Sequence, residues 1–183
     1  DMLDGVLAHL NTVTEQIVVD DKPVSVQRLT RTCVDRLRHL AETRQIRIET
    51  GDFGHPVKIL CDEDALVCAL GNLLRNALEH AMPGTTVRIN AEIRSDNVLA
   101  FNFDDEGPGV DLDKIAHFLS PLAQRHGQDN GGSNAATLGL PIAKAIAQAH
   151  GGTVEVTLLP EVGTRASLIL PADIVEIVTD QAA

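Results

Sequence analysis

The sequence predicts an α+β fold, with helices stacked on one face of a mostly antiparallel sheet. Three observations lead there. Runs with helical spacing and runs that alternate like strands follow one another in a mixed order of helix and hairpin. Residues 86–94 with 98–103, and 154–158 with 165–170, form alternating pairs close in sequence, the pattern of hairpins. The hydrophobic fraction of 44%, with four Phe and no Trp or Tyr, implies an ordinary core that is aliphatic rather than aromatic. A length of 183 residues suits one domain with a short appendage.

Taken in order, residues 1–19 read as a helix, because Leu3, Val6, Leu10, Val13 and Ile17 step by three and four like a heptad seam. Such a stripe has to be buried against a partner chain or the body of the domain. Asp1 is not an initiator residue, so the chain reads as a piece of something longer. Asp20-Asp21-Lys22-Pro23 breaks the pattern and reads as a linker. Ser25 is a suitable N-cap for a helix over 26–44, whose apolar face holds Leu29, Cys33, Leu37 and Leu40. Residues 46–49 and 57–60 alternate as strands. Asp62 can cap a long helix to about Ala81, stopped by Met82-Pro83-Gly84. After the first hairpin, Asp111 can cap a short helix to about Phe118, and residues 119–136 read as a long loop. A helix to about Ala149, a turn at His150-Gly151-Gly152 and the last hairpin complete the domain. The expected division is 1–22 for the leading helix and linker, 23–172 for the domain, and 173–183 for a tail.

Composition excludes several classes. Fifteen Lys and Arg against 26 Asp and Glu give a charge of −11, unsuited to neutralising nucleic-acid phosphates. No apolar run approaches the roughly 20 residues of a membrane span. Three cysteines match no zinc spacing, and the odd number fits a reducing compartment, so a cytoplasmic setting is expected.

Three elements carry chemistry. On the helix from Asp62, Asn72, Asn76, Glu79 and His80 fall within one arc of roughly 100°, opposite the leucines. A solvated face is the plainer reading, but Asn gains little on a bare helix surface, and its amide oxygen is a suitable neutral ligand for Mg²⁺. Next, Phe103-Asp104-Asp105-Glu106-Gly107-Pro108-Gly109 lies where a predicted strand ends, so a carboxylate can face a pocket while glycine lets the backbone approach a ligand. A tight turn explains that segment equally well. Last, a loop with Gly131-Gly132 leads to Leu138-Gly139-Leu140, where a helix N-terminus could meet phosphate.

In register, Asn72-Leu-Leu-Arg-Asn76-Ala, Asp105-Glu-Gly-Pro-Gly109, Leu138-Gly-Leu-Pro-Ile, Ala149-His-Gly-Gly152 and Gly163-Thr164 resemble the ATP-binding domain of sensor histidine kinases, a branch of the Bergerat-fold ATPases and kinases. The resemblance spans about residues 24–172, and it likens the leading helix to the end of a dimerisation helix. It implies ATP and Mg²⁺ as cofactors. Asn76 would hold the metal and act in catalysis, with Asn72 supporting metal or phosphates. Asp105 would accept from the adenine amino group, with Gly107 and Gly109 closing the backbone over the base. Thr164 would assist at the adenine. His80, Val110, Leu138, Gly139 and Leu140 would complete the nucleotide site, and residues 119–137 would be its lid. A carboxylate is acceptor-only, and facing it with guanine's carbonyl would leave an unmatched buried group worth about 1 to 3 kcal/mol. Adenine is favoured accordingly.

The sequence departs from the family at three places. Ala135 and Thr137 stand where the lid motif has glycine, and at a left-handed position each would cost about 1 to 2 kcal/mol. Glu79 stands where many members carry Lys, and Gln124 and Arg125 shift the family's arginine by one place. Asn72 occupies the slot of the general-base Glu of gyrase-like ATPases; an amide takes no proton at neutral pH, so hydrolysis by that route is disfavoured. His9 lacks the acidic neighbour of a phosphoacceptor, as do His39, His55, His117, His126 and His150. The resemblance thus implies transfer of the γ-phosphoryl to a histidine outside this segment, on the same or a partner chain. It further implies a response regulator, a homodimer in the full-length protein, and a cytoplasmic setting, as the cytoplasmic portion of a membrane-anchored sensor. A degenerate module that signals through protein contacts alone is the competing reading.

Overall fold

The structure, a computed structural model, describes residues 21–51, 56–94, 98–109, 134–159 and 163–177, the side chains of 134–138 excepted. These form β1 (Lys22–Ser25), α1 (Val26–Thr43), β2 (Arg47–Thr50), β3 (Val57–Cys61), α2 (Glu63–His80), β4 (Thr86–Ile93), β5 (Leu99–Asp105), α3 (Asn134–Ala149), β6 (Thr153–Leu158), β7 (Thr164–Leu170), a 3-10 turn (Ala172–Ile174) and β8 (Val175–Ile177). The larger sheet runs β2-β4-β5-β7-β6, antiparallel except for the β2–β4 pair. The smaller sheet is β1-β3-β8, wholly antiparallel.

Caps and periodicity explain the helices. Ser25 Oγ accepts from the Arg28 N–H at 3.1 Å and opens α1. Asp62 does the same for α2, accepting from the Ala65 N–H at 3.0 Å, and Glu63 and Asp64 complement the helix dipole in the first turn. Leu66, Leu70, Leu73, Leu74 and Ala77 are buried along one side of α2, which packs against α1 and α3 and across β5 and β7. Strand alternation puts Leu99, Phe101 and Phe103 of β5 on one face, level with Leu170, Leu168 and Ala166 of β7. All six are buried. Truncating either Phe to Ala would cost about 3 to 5 kcal/mol.

The opposite face of β5 is polar yet closed. Ser167 Oγ donates to Asn102 Oδ1 at 2.7 Å, Asn102 Nδ2 donates to Glu92 Oε1 at 3.1 Å, and Arg165 grips Asp104. Partnered in this way, buried polar groups avoid the cost of desolvation without a hydrogen bond.

Three expectations are corrected. Lys22 and Pro23 are strand residues rather than linker, pairing with Cys61 and Leu60; proline is tolerated because β1 is an edge strand. Residues 175–177, expected in the tail, pair with the other edge of β3. α3 begins at Asn134, where a loop and lid to 136 or 137 was expected, and Pro141 therefore lies inside the helix rather than in its first turn. Ala135 and Ala136 are strong helix formers. The heptad-bearing segment 1–19, the short helix over 111–118, the remainder of the lid and Val110 lie outside the described residues.

Candidate functional site

A cavity of about 40 Å³ opens between α2, α3 and the β5 and β7 ends of the large sheet. Asn76 and His80 enter it from α2, Asp105 and Phe103 from β5, Leu140 from α3, Val156 from β6, and Thr164 from β7. The amide and the carboxylate singled out in the sequence therefore face one space. Helical spacing brings Asn76 and His80 to the same wall, one turn apart. Antiparallel register sets Thr164 directly opposite Asp105 although 59 positions separate them in the chain.

Among the described residues, two buried side-chain atoms have no hydrogen-bond partner: Asn76 Oδ1 and Thr164 Oγ1. Their residues are 8% and 5% exposed. Each orphan costs about 1 to 3 kcal/mol, and both lie in the walls of the same cavity. A polar ligand in the cavity would satisfy both.

Asp105 is 4% exposed, and its Oδ1 accepts from the Gly107 N–H at 2.8 Å. Burial pushes its carboxyl pKa up, with a smaller push from Asp104; the Gly107 N–H, His80 and a backbone hydrogen bond from Thr164 pull the other way. The turn that places it depends on glycine at two points. A Cβ at Gly107 would collide with the His80 carbonyl oxygen. At Gly163, where φ is +112°, one would collide with the Asp105 carbonyl oxygen. Gly109 follows with φ +79°, beside the exposed Leu158.

Asn72 lies one turn before Asn76 but does not line the cavity. Its Nδ2 donates to the Cys68 carbonyl oxygen at 3.0 Å, which leaves Oδ1 as the group presented to α3. A Cβ built on Gly139 would stand 3.3 Å from both Asn72 Oδ1 and Asn76 Oδ1. Two neutral oxygens thus converge beside a glycine, a donor set that fits a hard cation such as Mg²⁺. Leu140 lines the cavity beside them, whereas the side chain of Leu138 and all of Val110 lie outside the described residues. Sequence reasoning missed the apolar walls Phe103, Val156, Ala77 and Ala166. Phe103 and Ala166 pair directly across β5 and β7, strands of two different hairpins, so no local pattern joins them.

Residues 61–174 match the family described as histidine kinase-, DNA gyrase B- and HSP90-like ATPases. The chain is 32% identical over 126 residues to the alginate biosynthesis sensor protein KinB of Pseudomonas aeruginosa, covering 69% of this chain and 20% of that one. It is 30% identical over 152 residues to the sensor-like histidine kinase SenX3 of Mycobacterium tuberculosis, covering 81% of this chain and 36% of that protein. The chain therefore spans about a fifth to a third of the length of these relatives. Among solved structures, full-length ShkA in complex with AMPPNP superposes with a TM-score of 0.72 at 25% identity, covering 92% of this chain and 36% of that one. The mycobacterial sensor histidine kinase MprB gives 0.66 at 22%, covering 82% and 97%, a likeness of fold. With the Bergerat architecture and the Asn76–Asp105 cavity in place, the chain belongs to the histidine kinase-, DNA gyrase B- and HSP90-like ATPase family, as the ATP-binding catalytic domain of a sensor histidine kinase.

Proposed function

We propose that this domain binds ATP with Mg²⁺ and transfers the γ-phosphoryl to a histidine outside the chain. The observation that carries the proposal is the pair of orphaned oxygens, Asn76 Oδ1 and Thr164 Oγ1, in the walls of a cavity that also holds the Asp105 carboxylate. Asp105 would accept from the adenine amino group, and Thr164 Oγ1 would take up the hydrogen bond it lacks, directly or through a water. Asn76 would hold the metal, with Asn72 beside it. When bound, Mg²⁺ supplies charge neutralisation to the phosphates, which is most of what phosphoryl transfer asks of its surroundings. The protein's part is positioning: α2 fixes the two amides one turn apart, and β5 and β7 fix the base-reading pair.

The cavity of about 40 Å³ is well below the roughly 300 Å³ or more of ligand pockets. Nucleotide binding therefore needs more room than these residues enclose. Asn72 cannot act as a base, so water is not activated there and the acceptor comes from elsewhere. That acceptor would be a histidine of the same or a partner chain in a homodimer, with a response regulator downstream. No helix among the described residues is long and apolar enough to cross a membrane, and the reaction would take place on the cytoplasmic side. The tightness of the cavity is also what the competing reading, a module that no longer binds nucleotide, would require.

Calorimetric titration with Mg-ATP separates the two. Binding well below millimolar, weakened roughly tenfold to a hundredfold by GTP in place of ATP and lost in Asp105→Asn, supports the kinase reading. No heat at millimolar nucleotide would refute it.

A further inference from the structure

Three carboxylates follow one another where β5 ends: Asp104, Asp105 and Glu106. Strand alternation turns Asp104 to the outer face of the sheet and Asp105 to the cavity. Arg165, directly opposite Asp104 on β7, closes on it through two parallel bonds, Nε to Oδ1 at 2.6 Å and Nη2 to Oδ2 at 2.7 Å. Arg88 of β4 holds Glu106 at 2.8 Å. Both outer carboxylates are thus matched by a guanidinium. The middle one accepts from the Gly107 N–H instead.

We infer that Arg165 is a positioning residue for nucleotide recognition: by neutralising Asp104 it keeps the adjacent Asp105 ionised and able to accept from the adenine amino group. The inference rests on the nucleotide reading above. Arg88 pairs instead with Glu106, a more exposed carboxylate that is not among the charges acting on Asp105. The difference follows from solvent, because the Asp104 side chain is 11% exposed and that of Glu106 38%, and buried charges are screened less. The charged groups that act on Asp105 among the described residues are His80 from α2, which favours the ionised form, and Asp104, which opposes it. Burial already works against ionisation, so an uncovered Asp104 charge next to it would shift the balance further.

The test is a carbon-13 titration of the Asp105 carboxyl in the free chain, with ATP affinity followed from pH 5 to 8 in parallel. Arg165→Met should raise the Asp105 midpoint by about one pH unit, and the loss of ATP affinity on acidification should move up with it. Adding Asp104→Asn to that variant should restore both. Asp104→Asn alone leaves Arg165 uncompensated and should lower the midpoint, which keeps the test available if Arg165→Met does not fold. Arg88→Met should give less than half the effect. An Asp105 midpoint unmoved by Arg165→Met, or a rise that persists without the Asp104 charge, overturns the inference, as does an affinity loss equal at every pH. If the carboxyl titrates as expected but no nucleotide binds, the charge relation stands and the nucleotide reading falls.

Discussion

Replacing Thr164 by Val should make the free protein more stable and the nucleotide complex weaker. Thr164 is buried at the start of β7, and its Oγ1 has no hydrogen-bond partner. Valine keeps nearly the same shape, substitutes a methyl for the orphaned hydroxyl, and suits a strand. A buried unsatisfied group costs about 1 to 3 kcal/mol. Taking the low end, because water can enter the cavity beside it, the gain is about 1 kcal/mol. For a chain of this size that is about 2 to 4 °C in Tm. If the hydroxyl serves the nucleotide, the same change removes a bond worth about 1 to 1.5 kcal/mol from the complex, a loss of roughly tenfold in affinity. Thermal unfolding with and without saturating Mg-ATP reads both at once: the unliganded midpoint rises and the ligand-induced increment shrinks. A fall in the unliganded midpoint of similar size would refute the reasoning, since it would mean that Oγ1 is satisfied in the free protein.

Asp105→Asn is expected to stabilise the free domain near pH 7. The folded carboxyl has a raised pKa, so the folded state holds its proton more tightly than the unfolded chain. Stability from this group is then present below the ordinary carboxylate range and lost as pH rises through the raised value. The gain should therefore vanish in unfolding curves near pH 3.5. Burial pushes the Cys33 and Cys61 thiols up to about 12, whereas Cys68 is exposed; a disulfide reagent at pH 8 should label Cys68 first, with the other two reacting only on unfolding. His150 Nε2 accepts from the Asp62 N–H at 3.2 Å, and its Nδ1–H donates to the Ile146 carbonyl oxygen at 2.8 Å. His150→Phe should lose about 1 to 3 kcal/mol in denaturant titration, and His150→Gln, which keeps an acceptor for the Asp62 N–H, should lose less.

What the sequence disclosed and what it withheld divide along a physical line. The α2 helix was legible because its cap at Asp62, its leucine stripe and its polar arc all lie within 20 residues of one another. β1 and β8 were not, because strands of four and three residues have no pattern of their own and exist through pairing with β3. The parallel β2–β4 pair was equally hidden, since alternation is the same in either direction. The predicted end of β5 at Phe103 is the most instructive miss. Asp104 and Asp105 are poor strand formers, yet β5 runs through both, one held by Arg165 across the ladder and the other by the Gly107 N–H. The strand is extended by interactions with residues 61 positions away in one case and two in the other, and neither shows in local propensity. The same two residues form the base-reading corner of the cavity. Local preference was therefore overridden where the site was built, and it is there that the paired motifs, rather than the periodicity, carried the reading.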